Sequence, residues 1–297
     1  MMDSKILKTG ACSIILGNNY YDGYINYKPN KLIKFTKVIK GHNEFKNLSM
    51  VRKIENYSKY YALPDEEQFI LKSDDKFFPI LKRLVEGENM NIFYGNLIYC
   101  YIDYAGDKEL LDTIIEIKDN FDYTFWKSYK TIIEFSKHIL EGINYLHQNK
   151  LCHLDIKPEN IMVNTHKCEF KIIDFGFCSL EPFDDFIENM KGTPGYFPKL
   201  FPSEKPSYWL PKVTANDFKI QPMPIRTDRK LVYKIDSYCL GRVLYFLKVI
   251  YQENLRLSCF NFERKNQIRI ENIIKSLIEN DVYQRLTPEQ CLKQYFE

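Results

Sequence analysis

The chain of 297 residues can hold one large domain or two lobes with a substantial buried core. Its 45% hydrophobic and 27% charged residues are the balance of a soluble globular protein. A formal charge of +3 is too small to make nucleic acid or an anionic membrane the main partner, and no uncharged apolar run approaches the length of a membrane span. The 8 cysteines are scattered without metal-site spacing, and Met1 to Gly10 lacks the apolar core and small-residue cleavage site of a secretory leader. A reduced, cytoplasmic setting is therefore expected. The abundance of Tyr (22) and Phe (21), with heavy use of Asn, Lys and Ile, fits an A/T-rich coding genome such as that of a parasite or a large DNA virus.

Residues 6–16 read as two short strands around the turn Lys8-Thr9-Gly10-Ala11-Cys12-Ser13, whose small residues let backbone N–H groups approach phosphate oxygens. Residues 18–30 are polar, aromatic and turn-rich, an enlarged connection. Residues 32–39 alternate as a strand does, with Lys34, Lys37 and Lys40 as its cations. The near three-residue spacing of Phe45, Leu48, Val51 and Ile54 predicts a helix over about 43–57. Residues 97–102 form a continuous apolar strand that breaks at the acidic turn Asp103-Tyr104-Ala105-Gly106-Asp107. Ile132, Ile133, Phe135, Ile139, Leu140, Ile143 and Leu146 then predict an amphipathic helix over 129–148, with His138 and His147 serving packing or surface rather than ligation.

The most informative stretch follows, His153-Leu154-Asp155-Ile156-Lys157-Pro158-Glu159-Asn160, and after it Asp174-Phe175-Gly176. The apolar runs Ile161-Met162-Val163 and Phe170-Lys171-Ile172-Ile173 bracket a turn and predict a hairpin that delivers Asp174 to the site. An acid, a cation, an amide and a second acid at these spacings are the inventory of phosphoryl transfer from a metal-bound nucleotide. Asp155 can accept the proton of an attacking hydroxyl, and Lys157 can steady charge on the moving group. Asn160 and Asp174 offer oxygen ligands to a hard cation such as Mg²⁺, which in turn favours ionised Asp174.

This pattern closely resembles the catalytic and metal-binding loops of the eukaryotic-type protein kinases. The resemblance implies an α+β, bilobal fold: a small β-rich N-lobe over 1–102, a hinge at 103–107, and a mainly helical C-lobe over 108–297. It further implies ATP and Mg²⁺ (or Mn²⁺) as cofactors and a protein as substrate. ATP contacts are expected from Gly10, Ile15 and Lys37, with Lys34 and Lys40 competing for the lysine role, and from the backbone of Asp103 and Ala105. Lys157 is similar to the lysine of serine/threonine kinases. Gly192-Thr193-Pro194-Gly195-Tyr196-Phe197-Pro198 resembles the segment that docks a Ser or Thr substrate, with Thr193 near Asp155 and Lys157. Asp236 matches the buried helix acid that holds the catalytic-loop backbone.

The departures bear on nucleotide grip and on regulation. Only Gly10 matches a glycine-rich loop, with Ile15 in the place of the following valine. Glu44 is the acid nearest the position that pairs with the strand lysine, although the helical phase fits Asn47 better. Leu154 stands where many kinases have the Arg that gathers a phosphorylated activation segment, so activity without such phosphorylation is expected. Lys199 replaces a Glu that normally pairs with a late Arg, here Arg285, which is left to use Glu204 or to stay exposed. Six of the 13 prolines fall in about 198–230, an inserted surface loop. The expected function is ATP-dependent phosphorylation of protein Ser/Thr. The alternatives are a pseudokinase acting as a nucleotide-binding or interaction scaffold, and a small-molecule kinase.

Overall fold

A computed structural model describes residues 6–9, 13–16, 31–37, 44–70, 97–119, 125–189, 192–193, 195–198, 223–255 and 263–297. The chain divides into two compact units, one of Met1–Ser49 with Ala62–Tyr104, the other of Met50–Tyr61 with Ala105–Glu297. Gly10, Lys40, Lys199, Glu204 and most of the proline-rich insert lie outside the described residues.

The first unit is built on a five-stranded antiparallel sheet of β1 (Ile6–Thr9), β2 (Ser13–Leu16), β3 (Lys31–Lys37), β4 (Pro64–Ile70) and β5 (Leu97–Asp103), in the order β1-β2-β3-β5-β4. β3 and β5 pair along their whole length, from Lys31 opposite Asp103 to Lys37 opposite Leu97. That register sets Phe35 against Tyr99, both buried, with ring centroids 5.7 Å apart, a cross-strand aromatic pair of the kind that pins register in a sheet. The predicted helix is shorter than its hydrophobic spacing suggests: α1 runs over Glu44–Arg52 and stops. Asn56 adopts a left-handed backbone (φ 54°), which a continuing helix does not allow, and a 3-10 turn takes over at Tyr57–Lys59. Leu48, Val51 and Ile54 are nevertheless all buried, so the apolar stripe packs even where the helix has ended.

The second unit is mainly helical: α2 (Leu110–Asp119), α3 (Tyr129–Gln148), α4 (Asp184–Asn189), α5 (Tyr233–Leu255), α6 (Arg264–Leu277) and α7 (Pro288–Phe296). α3 has the predicted bounds. Ser128 caps it by accepting the Thr131 N–H, and the seven predicted apolar residues are all buried. At about 1.5–3 kcal/mol for each large aliphatic side chain withdrawn from water, that stripe dominates the stability of the helix. α7 starts at Thr287-Pro288, an N-cap followed by a proline in the first turn, with a capping box between Thr287 and Gln290. Residues 235–244 of α5 are buried without interruption, which makes it the central helix of this unit. Three short pairings complete the unit: β6 (Lys108–Glu109) on β8 (Ile161–Asn164), β8 on β9 (Glu169–Ile172), and β7 (Leu151–Cys152) on β10 (Ser179–Leu180).

Arg285 does not stay exposed. It is fully buried, donates from Nε to the Glu279 carbonyl at 3.0 Å, and lays its guanidinium over the Tyr238 ring at 4.9 Å. With the Lys234 carbonyl at 3.4 Å from Nη1, carbonyls and an aromatic face are its partners among the described residues.

Candidate active site

The site is assembled from loops that the helical scaffold of the second unit holds by their backbones. β8 and β9 pair as the predicted hairpin, Ile161 opposite Ile172 and Asn164 opposite Glu169. Just past it the Ile173 N–H donates to the Asn160 carbonyl at 2.9 Å, so the peptide leading into Asp174 lies against the end of the catalytic loop. His153 clasps the same junction. Its Nδ1 accepts the Asp155 N–H at 3.3 Å, which leaves the ring proton on Nε2 to donate to the Ile173 carbonyl at 3.1 Å. Sequence reading assigned His153 no task, and its burial between two apolar runs was the available signal.

Asp236 fixes the other side of the loop. One carboxylate oxygen accepts the Leu154 N–H at 2.7 Å, and the second accepts the His153 N–H at 2.8 Å and His147 Nε2–H at 2.9 Å. Burial works to raise the Asp236 pKa, but the His147 hydrogen bond and the nearby imidazoles outweigh it and hold the carboxyl below its ordinary value. Cys152 Sγ lies within 4.8 Å of this pair, and burial pushes its thiol well up. The His147–Asp236–Cys152 group is therefore an internal lock on the loop, with the thiol in its protonated form.

Asp155, Lys157, Asn160 and Thr193 form one connected cluster. The Asp155 carboxylate is buried at 5% exposure; one oxygen accepts the Thr193 hydroxyl at 2.5 Å, and the other accepts Lys157 Nζ at 2.8 Å and Asn160 Nδ2 at 2.9 Å. Lys157 Nζ also donates to Thr193 Oγ1 at 3.0 Å. The expected neighbourhood of Thr193 with Asp155 and Lys157 is thus present as a closed triangle. A resident hydroxyl already donates to the carboxylate, which is the contact an incoming acceptor hydroxyl would have to make before losing its proton.

The donor set fits a hard divalent cation. Asn160 Nδ2 donates to both the backbone carbonyl (2.8 Å) and the carboxylate of Asp155, and this fixes which way the amide faces and reserves Oδ1 as its ligand atom. Asp174 is exposed, sits at φ 61°, and turns one oxygen onto the Gly176 N–H at 3.2 Å. Carboxylate and amide oxygens are the ligands Mg²⁺ prefers.

The predicted nucleotide contacts are described in part. Ile15 lies in β2 opposite Lys34, Lys37 ends β3, and Asp103 ends β5 with its N–H committed to the Leu63 carbonyl at 3.4 Å. Ala105 is buried. Gly10, and the side-chain partners of Lys37 and Glu44, lie outside what is described. Sequence reading also gave no task to Glu159, whose Oε2 is buried without a hydrogen-bond partner among the described residues, or to Arg242.

Residues 34–206, more than half of the chain, match the model of the protein kinase domain. The chain is 26% identical over 202 residues to serine/threonine-protein kinase 17A of Oryctolagus cuniculus, covering 65% of this chain and 45% of that protein. It is 24% identical over 253 residues to the serine/threonine-protein kinase nekl-2 of Caenorhabditis elegans, covering 81% and 63%, and 26% identical over 219 residues to death-associated protein kinase 2 of Mus musculus, covering 68% and 54%. The chain spans less than two thirds of the length of each of these relatives. A sheet-based unit, a helical unit and a catalytic loop of this composition define an α+β protein kinase fold. The chain belongs to the protein kinase family.

Proposed function

We propose that the protein is a serine/threonine kinase that transfers the γ-phosphoryl group of ATP to Ser or Thr hydroxyls of another protein. The observation that carries this reading is the triangle of Asp155, Lys157 and Thr193, in which a buried carboxylate already holds a hydroxyl hydrogen bond beside a cation. Asp155 accepts the acceptor proton, and Lys157 steadies negative charge on the group in transit. Asn160 and Asp174 would hold Mg²⁺ or Mn²⁺, which supplies charge neutralisation on the nucleotide phosphates. Gly10, Ile15, Lys37, Asp103 and Ala105 remain the proposed nucleotide contacts. The names of two of the relatives, serine/threonine-protein kinase 17A and serine/threonine-protein kinase nekl-2, support the Ser/Thr assignment.

We further propose that this activity does not wait for phosphorylation of the segment after Asp174. Leu154, in the place of the phosphate-gathering Arg, is fully buried. Ser179, the Ser/Thr-type hydroxyl between Asp174 and Thr193, is 8% exposed and sits in β10 opposite Cys152. The test is transfer of labelled phosphate from ATP with Mg²⁺ or Mn²⁺ to a basic protein such as histone, read by mass spectrometry. Phosphoserine or phosphothreonine on the acceptor is the expected result; nucleotide binding without transfer would turn the protein into a scaffold.

A further inference from the structure

Arg242 is a cation inside the longest uninterrupted buried run among the described residues. Residues 235–244 of α5 are buried on every face of the helix, and Arg242 itself is 7% exposed. A guanidinium keeps its charge at any physiological pH, so its presence there has to be matched by acceptors. Its Nε donates to the Gly195 carbonyl at 3.0 Å, and its guanidinium lies 5.8 Å from the centre of the Tyr245 ring.

Gly195 stands at φ 91°, in the left-handed region that only glycine enters freely. The turn it makes is closed by the Thr193 carbonyl, which accepts the N–H groups of Tyr196 at 3.3 Å and Phe197 at 3.0 Å. The Phe197 ring occupies the space that a Cβ on Gly192 would need. Within this turn Thr193 reaches Asp155 and Lys157, Tyr196 is buried, and the Gly195 carbonyl is held by α5. The same helix carries Asp236, six residues or about 9 Å of rise earlier, which holds the backbone at His153 and Leu154. One rigid helix therefore grips both the loop that bears the base and the segment that bears Thr193.

We propose that Arg242 is a positioning residue for the protein acceptor. By holding the Gly195 carbonyl, it keeps Thr193 and the residues from Gly195 to Pro198 in the conformation on which the acceptor polypeptide docks, at a spacing from Asp155 that α5 sets. This role rests on the kinase reading and concerns acceptor binding rather than the nucleotide. Arg242→Met keeps an unbranched chain as far as the position of Nε and removes the donors; Arg242→Lys keeps the charge but not the geometry of Nε.

The experiment is steady-state transfer from ATP to histone by the full chain, with thermal unfolding measured alongside. In Arg242→Met the KM for the acceptor should rise roughly tenfold, while kcat and the KM for ATP stay within about threefold. Arg242→Lys should fall between Arg242→Met and wild type. Gly195→Ala, which displaces the same carbonyl from the loop side, should reproduce the acceptor effect, and the double variant should add little to it. An unchanged acceptor KM in Arg242→Met overturns the proposal, as does a parallel loss in kcat and in ATP binding, which would mark a purely structural residue. Should Arg242→Met fail to fold, Gly195→Ala decides, and an unchanged acceptor KM there is equally fatal. A wild-type protein that transfers no phosphate removes the kinase reading and this role with it. A wild type that transfers, with variants that match it, removes the positioning role alone.

Discussion

Leu154 holds a left-handed backbone conformation, φ 65°, and its N–H is donated to Asp236 at 2.7 Å from 82 residues away in sequence. A bulky residue in that region carries strain on the order of 1–3 kcal/mol, and it persists where the surroundings over-determine it. Here the surroundings are a buried carboxylate with three donors. The kink at Leu154 is thus held from α5, one residue before the proposed base.

Asp236→Asn keeps the shape but turns one acceptor into a donor, and a buried backbone N–H loses its partner. We expect a loss of about 1–3 kcal/mol in urea unfolding, together with a fall in turnover as the catalytic loop relaxes. The pH dependence has a definite sign. The folded-state pKa lies below the ordinary 3.8, so the stabilisation is complete above that pH and drains away as acid carries the solution down through the folded value. The variant should show a shallower acid-unfolding slope below pH 3.8 than wild type.

Asp155→Asn removes the proposed proton acceptor and leaves a side chain of the same outline. Turnover should fall by roughly 10²–10⁴-fold, the usual contribution of a general base, while ATP affinity measured by titration calorimetry is retained. Undiminished turnover would refute the assigned base.

Thr193 donates to Asp155 and accepts from Lys157. Thr193→Val deletes both contacts with little change of volume, and the acceptor KM should rise several-fold, by about 1 kcal/mol in binding. Thr193→Ser keeps the hydroxyl and should stay close to wild type in the same assay.

His138 reports a different acid window. Its ring packs against Tyr60 and Phe170, its Nε2 is buried with no hydrogen-bond partner among the described residues, and burial lowers its pKa from 6.5. The charges around it are Lys59 and Lys171, which oppose protonation, and Glu141, which favours it. Because the folded pKa is depressed, stability is full above 6.5 and is lost as pH falls toward the folded value, at no more than about 1.4 kcal/mol per pH unit for one proton. His138→Phe should flatten this part of a stability-versus-pH curve measured by denaturant unfolding.

Protein made in bacteria and treated with phosphatase should transfer phosphate as well as untreated protein, within about twofold. Ser179→Ala should behave the same way. A large loss on dephosphorylation would contradict the reading of Leu154.

Much of this was legible in the chain. The bounds of α3 follow from seven apolar residues at helical spacing, and the start of α7 from Thr287-Pro288, because both signals are local. The hairpin into Asp174 follows from two apolar runs around a polar turn. The inventory of Asp155, Lys157, Asn160 and Asp174 is also read from residue type and spacing, whereas the place of Thr193 comes from the resemblance to the protein kinases. What tertiary structure decided is where polar groups find their partners. α1 ends at Arg52 although its stripe continues to Ile54, because a left-handed Asn56 and its turn compete with the helix. Arg285 is buried rather than exposed, and its partners among the described residues are carbonyls and a ring. Arg242 stands out in the sequence only as a charge inside an apolar helix, and its tie to Gly195 spans 47 residues. Spacing along a chain encodes local geometry, whereas a buried hydrogen bond between distant residues exists only once packing has excluded water and brought its donor and acceptor together.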